Sequence, residues 1–186
     1  MKKTLLIFIG IALFLGLSLM NSYNGLVTLS QNSDKQWAQV ETQYQRRFDL
    51  IPNLVSSVEA SMKQEQKVFA DIAQARTQYS GATTVADKTK AASELEGAVG
   101  RLLVIMENYP QLLSNENVSK LMDELAGIEN RISTERRRFN DEVTNYNLAV
   151  KRFPGSIIAS LFKFQEKPLF QSVSSADQAP AVKFNN

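Results

Sequence analysis

The side chains that carry most covalent and metal chemistry are missing, because the 186 residues include no Cys and no His. That excludes a disulfide, a thiolate nucleophile, a Ser–His–Asp triad and an imidazole zinc site. Neither G-x-x-x-x-G-K-[ST] nor G-x-G-x-x-G occurs, so no phosphate cradle shows itself. Carboxylates remain: Glu65, Glu94, Glu129 and Glu135 could in principle gather into an oxygen-only cation site. Surface exposure, or pairing with Arg76, Arg131 or Arg136, is the simpler expectation. The basic clusters are Arg46-Arg47 and Arg136-Arg137-Arg138. Successive helical residues point about 100° apart, so three arginines in a row form no flat patch. A solvated face with pairs to Glu135, Asp141 or Glu142 is expected, and a phosphate or phospholipid site is the sharper alternative. Asn140 and Asn147 lie seven apart and are expected to hydrogen-bond across a helical bundle, as buried Asn does in coiled coils. With 21 Lys plus Arg against 19 Asp plus Glu, the net charge of +2 gives no reason to expect nucleic acid as a partner. No catalytic residue, metal ligand or cofactor is assigned.

These side chains need elements to hold them, and the first element starts almost at once. After Lys2 and Lys3, residues 4–20 form an uncharged apolar run, and no charge appears again before Asp34. At 1.5 Å per residue the run covers about 25 Å, which a few flanking residues extend to a bilayer's hydrocarbon thickness. A cleaved signal peptide would have a shorter apolar core and a small-x-small exit. Residues 1–21 therefore read as an uncleaved transmembrane signal-anchor with the lipid bilayer as partner through residues 4–20. Lys2 and Lys3 precede a stretch without Lys or Arg until Lys35, so the amino terminus is expected in the cytoplasm and the body outside it.

Residues 22–153 show helical periodicity throughout. The fold class expected is all-α: the transmembrane helix, then an antiparallel up-down four-helix bundle. The first bundle segment, residues 22–48, carries the seam Leu26, Leu29, Ser33, Trp37, Val40, Tyr44, Phe48. Its three- and four-residue steps average close to an eleven-residue repeat. Pro52 suggests a tight hairpin with Asp49 as cap, although one long kinked helix is the alternative. The second segment, residues 52–79, has the seam Leu54, Val58, Met62, Glu65, Phe69, Ile72, Arg76, Tyr79. The third, residues 86–108, is apolar all round at residues 102–106 and is expected to be the most buried. The fourth follows a cap at Ser114 or Asn115, carries the seam Val118, Leu121, Leu125, Ile128, Ile132, Glu135, Phe139, Val143, Tyr146, Val150, and stops at Phe153-Pro154-Gly155. Four helices of similar length would make a bundle about 40 Å long. Residues 154–171 read as an apolar segment docking at the membrane-proximal end, and residues 172–186 as a disordered tail.

Five stretches, in order, resemble the LemA family. They are Tyr23-Asn24-Gly25-Leu26-Val27; the run from Arg46-Arg47-Phe48-Asp49-Leu50 to Ile51-Pro52-Asn53-Leu54-Val55; Glu107-Asn108-Tyr109-Pro110; Glu129-Asn130-Arg131-Ile132 continuing through Arg136, Arg138, Phe139, Asn140, Val143, Tyr146 and Asn147; and Phe153-Pro154 with Ile157-Ile158 and Phe164-Gln165-Glu166-Lys167-Pro168. The resemblance implies a bacterial protein with one amino-terminal membrane helix and a helical bundle. It brings no catalytic residues with it, and a relative takes part in building magnetosome membranes. Family descriptions often put the short amino terminus outside the cell, opposite to the orientation that Lys2 and Lys3 suggest. The function expected is a non-enzymatic scaffold or interaction module of the cell envelope. Its partners would be another envelope protein or a second copy of itself. A sensory input domain with a separate signalling partner is the alternative. A carboxylate-only enzyme holding Mg²⁺ ranks third.

Overall fold

The computed structural model describes residues 2–170, so the tail expected over residues 172–186 lies outside the described residues. They are all-helical, with no strand among the described residues. The elements are α1 (Lys2–Val58), α2 (Gln66–Gly81), α3 (Val85–Met106), a short α4 (Pro110–Leu113), α5 (Glu116–Lys151) and α6 (Gly155–Phe162).

α1 has 57 residues and is about 85 Å long. It carries the apolar run, whose large side chains are all exposed, and continues without a break into the seam buried in the body. The hairpin expected at Pro52 does not exist. Pro52 lies inside α1, and Asp49 caps nothing; it accepts a hydrogen bond from Gln45 one turn earlier. An interior proline costs about 3 kcal/mol. Ile51, Leu54 and Val58 around it are fully buried, and each is worth about 1.5–3 kcal/mol of burial, so packing outweighs the proline. The chain turns instead over residues 59–65, where Met62 folds back and is fully buried.

The helices are also unequal. α2 has 16 residues and α3 has 22, against 36 in α5, so four helices of similar length are not what forms. Arg47 of α1 meets Glu129 of α5, while Gln36 meets Glu135, so α5 runs back along α1. α2 and α3 form a hairpin joined by Asp71 and Arg101 at 2.9 Å. It covers only the half of the body far from the apolar run. Tyr79 near its tip packs on Phe48 with ring centroids 4.2 Å apart, and Lys88 pairs with Glu41. Thr84 caps α3 by accepting from the Asp87 amide, and Asn115 caps α5 by accepting from the amides of Asn117 and Val118.

One core runs through α1, α2, α3 and α5; the seams expected for α1 and α5 face it from Trp37 to Phe48 and from Val118 to Val143, while Leu26 and Val150 belong to a second cluster. Two details differ. Arg76 is exposed, with Val68 and Ala75 buried on α2 instead, and Val104 is 64% exposed, so α3 keeps a solvent face even within residues 102–106.

Candidate membrane-proximal site

The α2–α3 hairpin ends near residue 41, so between there and the apolar run α1 and α5 have no helical neighbours on one side. The chain after α5 closes that side. α5 stops at Lys151; the peptide between Phe153 and Pro154 is cis, and α6 starts at Gly155. A Cβ on Gly155 would lie 2.1 Å from the Ala149 carbonyl oxygen, so the reversal admits no side chain there. α6 places Ile158 and Ala159 in a small second core with Leu26, bordered by Ala149, Val150 and Phe164. Tyr23 meets Phe162 and Phe164 at ring-centroid distances of 4.7 and 5.8 Å.

From Phe164 the chain runs extended along the groove between α1 and α5, back toward the hairpin. Asn147 donates from Nδ2 to the Lys167 carbonyl and accepts from the Lys167 amide, both at 2.9 Å. Asn140 does the same at Phe170, donating at 3.0 Å and accepting at 2.9 Å. The spacing has a simple cause. Seven residues of helix rise about 10.5 Å, and three residues of extended chain cover about 10 Å, so the two amides meet two peptide groups in register. Asn140 and Asn147 therefore do not bridge helix to helix as expected; they bind the strap. Tyr146 adds a hydrogen bond from its hydroxyl to the Gln165 carbonyl at 2.9 Å.

The Lys167 ammonium crosses to α1. It donates to the Ser30 carbonyl at 3.1 Å and to Ser33 Oγ at 2.6 Å, and pairs with Asp34 at 2.7 Å. This explains a hydroxyl in the buried seam, since Ser33 is fully buried and has the charge to solvate. The same ammonium lies 5.2 Å from the Tyr146 ring centre. Burial, then the Asp34 carboxylate, raises the Tyr146 pKa. At the far end of the strap the Phe170 ring sits 5.8 Å from Trp37 and 5.3 Å from Phe139.

Just beyond Phe170 lies a polar layer. Arg47 is 3% exposed; it pairs with Glu129 and donates to the Ala92 carbonyl at 3.3 Å. Arg136 donates to the Tyr44 hydroxyl at 3.0 Å and to Glu96 at 3.2 Å. Burial raises the Tyr44 pKa, partly offset by Arg136. Burial opposes the charge on Arg136, but Tyr44 and Glu96 outweigh it and its pKa is raised. Burial likewise raises the Tyr79 pKa, with Glu41 adding to it.

The arginine clusters split as helical geometry requires, but not into one solvated face. Arg47 and Arg136 turn inward, Arg138 pairs with Glu135 at 2.8 Å, and Arg46 and Arg131 line an open groove of about 670 Å³ between α1 and α5. Glu135 takes Arg138, one of the pairs expected for that cluster, and also Gln36, whereas Glu129 takes Arg47 rather than Arg76, Arg131 or Arg136. Glu65 precedes α2, and Glu94 borders shallow surface clefts on α3, so the four carboxylates do not converge. The strap's partners escaped sequence reasoning, although Asn at a seven-residue interval and a Phe-Gln-Glu-Lys-Pro stretch were both visible.

The family profile of LemA matches residues 36–184. The chain belongs to the LemA family. Among curated relatives, Magnetosome protein MamQ 2 and MamQ 1 of Paramagnetospirillum magneticum are each 25% identical over 186 aligned positions, covering 86% of this chain and 68% of the relative. Magnetosome protein MamQ of Magnetospirillum gryphiswaldense is 24% identical over the same shares. In this LemA-family chain the strap and its two asparagines lie within the matched region, whereas the apolar run precedes it.

Proposed function

We propose that this chain is a single-pass membrane protein whose rigid helical body, an antiparallel up-down four-helix bundle in its outer half, is a non-enzymatic interaction module of the bacterial cell envelope. The carrying observation is the continuity of α1. Leu6, Phe8, Leu13 and Phe14 are all at least 60% exposed on a helix that 12 residues past Phe14 is already buried in the body at Leu26. Such a run is long and apolar enough to cross a membrane. Anchor and body then form one rod, which suits holding a partner at a set height. Relatives named as magnetosome proteins are in keeping with work on membranes rather than on a small substrate. The Lys2-Lys3 bias supports a body outside the cytoplasm.

The test combines intact mass, alkaline extraction of membranes and protease access in spheroplasts. The expected result is a chain that keeps residues 1–20, resists extraction and exposes its body. A mature start near residue 21 or 25 would overturn the anchor, and full protection of the body would reverse the orientation. In-cell crosslinking from the arginine-lined groove and the outer hairpin should then trap a discrete envelope protein. Recovery of the uncrosslinked chain alone would argue against an interaction module.

A further inference from the structure

We propose that α6 is an interfacial helix: together with Phe153 it seats its outward face in the headgroup boundary of an anionic phospholipid leaflet, beside the point where α1 enters the bilayer. The proposal rests on the anchor reading of residues 4–20 and adds a second, independent membrane contact to it.

Height comes first. Tyr23, which holds Phe162, is three residues past Met20, about 4.5 Å along the helix. Interfacial helices bury their apolar face about 5–10 Å into the boundary between headgroups and acyl chains, so α6 is at the right level. Val150 borders Leu26, and Phe153, three residues further on, is carried toward the same level as Tyr23.

Exposure is the second observation. Phe153 is 80% exposed, Leu161 70% and Ile157 51%, while Ile158 and Ala159 are buried on the inner side of the helix, where the half-exposed Phe162 packs on Tyr23. Ile157 and Leu161 are one turn apart and share a face. A patch of this kind within residues 153–161 is costly in water and marks an interaction surface. The strap does not cover it, because the chain after Lys163 turns away into the groove.

Charge is the third. Arg152 and Lys163 flank α6, are exposed, and carry no ion pair among the described residues, while Lys151 is tied to Glu166 at 2.8 Å. α1 has no charge between Lys3 and Asp34. An apolar face edged by unpaired cations, next to a membrane helix, matches an anionic lipid surface rather than a second copy, whose cations would oppose its own. With two contacts, the bilayer would set the tilt and rotation of the rod as well as its height.

The native chain lacks Cys, so one introduced cysteine carries one probe. The full chain is reconstituted in phosphatidylcholine–phosphatidylglycerol vesicles with an environment-sensitive fluorophore at Phe153→Cys, Leu161→Cys, Leu13→Cys in the anchor, or Ser56→Cys at the outer end. The expected result is blue-shifted emission, quenched by nitroxide lipids, at residues 13, 153 and 161 but not at 56. Omitting phosphatidylglycerol should reduce the quenching at 153 and 161 and leave 13 unchanged; equal quenching would overturn the anionic preference. If residue 13 is quenched while 153 and 161 behave like 56, the proposal fails and the anchor stands. An unquenched residue 13 overturns both. Probes at 153 and 161 that are shielded from water but untouched by nitroxide lipid, with shielding that grows with protein density, would assign the face to a second copy. Shielding seen only in native membranes would assign it to another protein.

Discussion

The body has two halves built on different physics. In the outer half, four helices enclose side chains such as Ile51, Leu54, Met62, Leu95, Leu102 and Ile132, all fully buried, and cohesion is apolar packing. In the half next to the apolar run α1 and α5 continue, α6 adds a small apolar core with Leu26, and an extended strap fills the rest of the space left by the hairpin. Cohesion there comes from paired amide bonds at Asn140 and Asn147, the threefold seat of the Lys167 ammonium, and the ring cluster of Trp37, Phe139 and Phe170. Apolar packing is non-directional and tolerates small slips, whereas the strap binds only where a seven-residue helical step matches a three-residue extended one. The proximal half is therefore set in register by hydrogen bonds and is expected to open before the outer half does.

The largest effect should come from the outer core. Leu102→Ala should lower global stability by about 2–5 kcal/mol, read by denaturant unfolding, with helix and strap lost together. A strap that stays folded after the outer helices have unfolded would show that the proximal half does not depend on the outer core. Next, Gly155→Ala forces a methyl onto the Ala149 carbonyl and should cost about 1–3 kcal/mol, the usual range for overpacking. Hydrogen exchange should show faster amides at residues 156–170 and little change in α2 and α3; uniform acceleration would mean that the halves are not separable.

Asn147→Ala removes two hydrogen bonds to the strap and should cost about 1–3 kcal/mol at roughly 1 kcal/mol or a little more per bond. The Lys167 amide should lose protection while α3 keeps its own. Full protection at residue 167 would show that the rings and Lys167 suffice. The smallest effect is with pH. Tyr44, Tyr79 and Tyr146 have raised pKa values in the folded chain, chiefly through burial. Their contribution is complete below the ordinary tyrosine value of about 10 and is lost as pH rises from there toward the folded values. Thermal stability should fall above about pH 10, and Tyr79→Phe should flatten the fall. That hydroxyl is buried with no hydrogen-bond partner among the described residues, so the substitution should be close to neutral at pH 7. A marked loss at pH 7 would give the hydroxyl a role that its surroundings do not supply.

How much of this was legible in the sequence follows the range of the forces involved. The apolar run, the seams of α1 and α5, the cap at Asn115 and the stop at Pro154 depend on neighbours within a turn or two, and each was readable from spacing alone. Pro52 was misleading because a local penalty of about 3 kcal/mol was outweighed by burial from elements far along the chain. The true turn at residues 59–65 contains neither Gly nor Pro; the burial of Met62 defines it, and nothing local marks it. Asn140 and Asn147 could be seen to share a stripe, and their capacity for two bonds each was evident from the amide. Which backbone would meet them was not, since Lys167 and Phe170 are 20 and 30 residues away and arrive only after Gly155 reverses the chain. The sequence by itself thus determined that the chain is helical, most of the buried faces of α1 and α5 and the membrane-length run, because period and composition act locally. The tertiary structure alone decided where α1 ends, which arginines go inside, and that α6 and a strap rather than two long helices complete the proximal half, because those outcomes are settled by competition among surfaces distant in the chain.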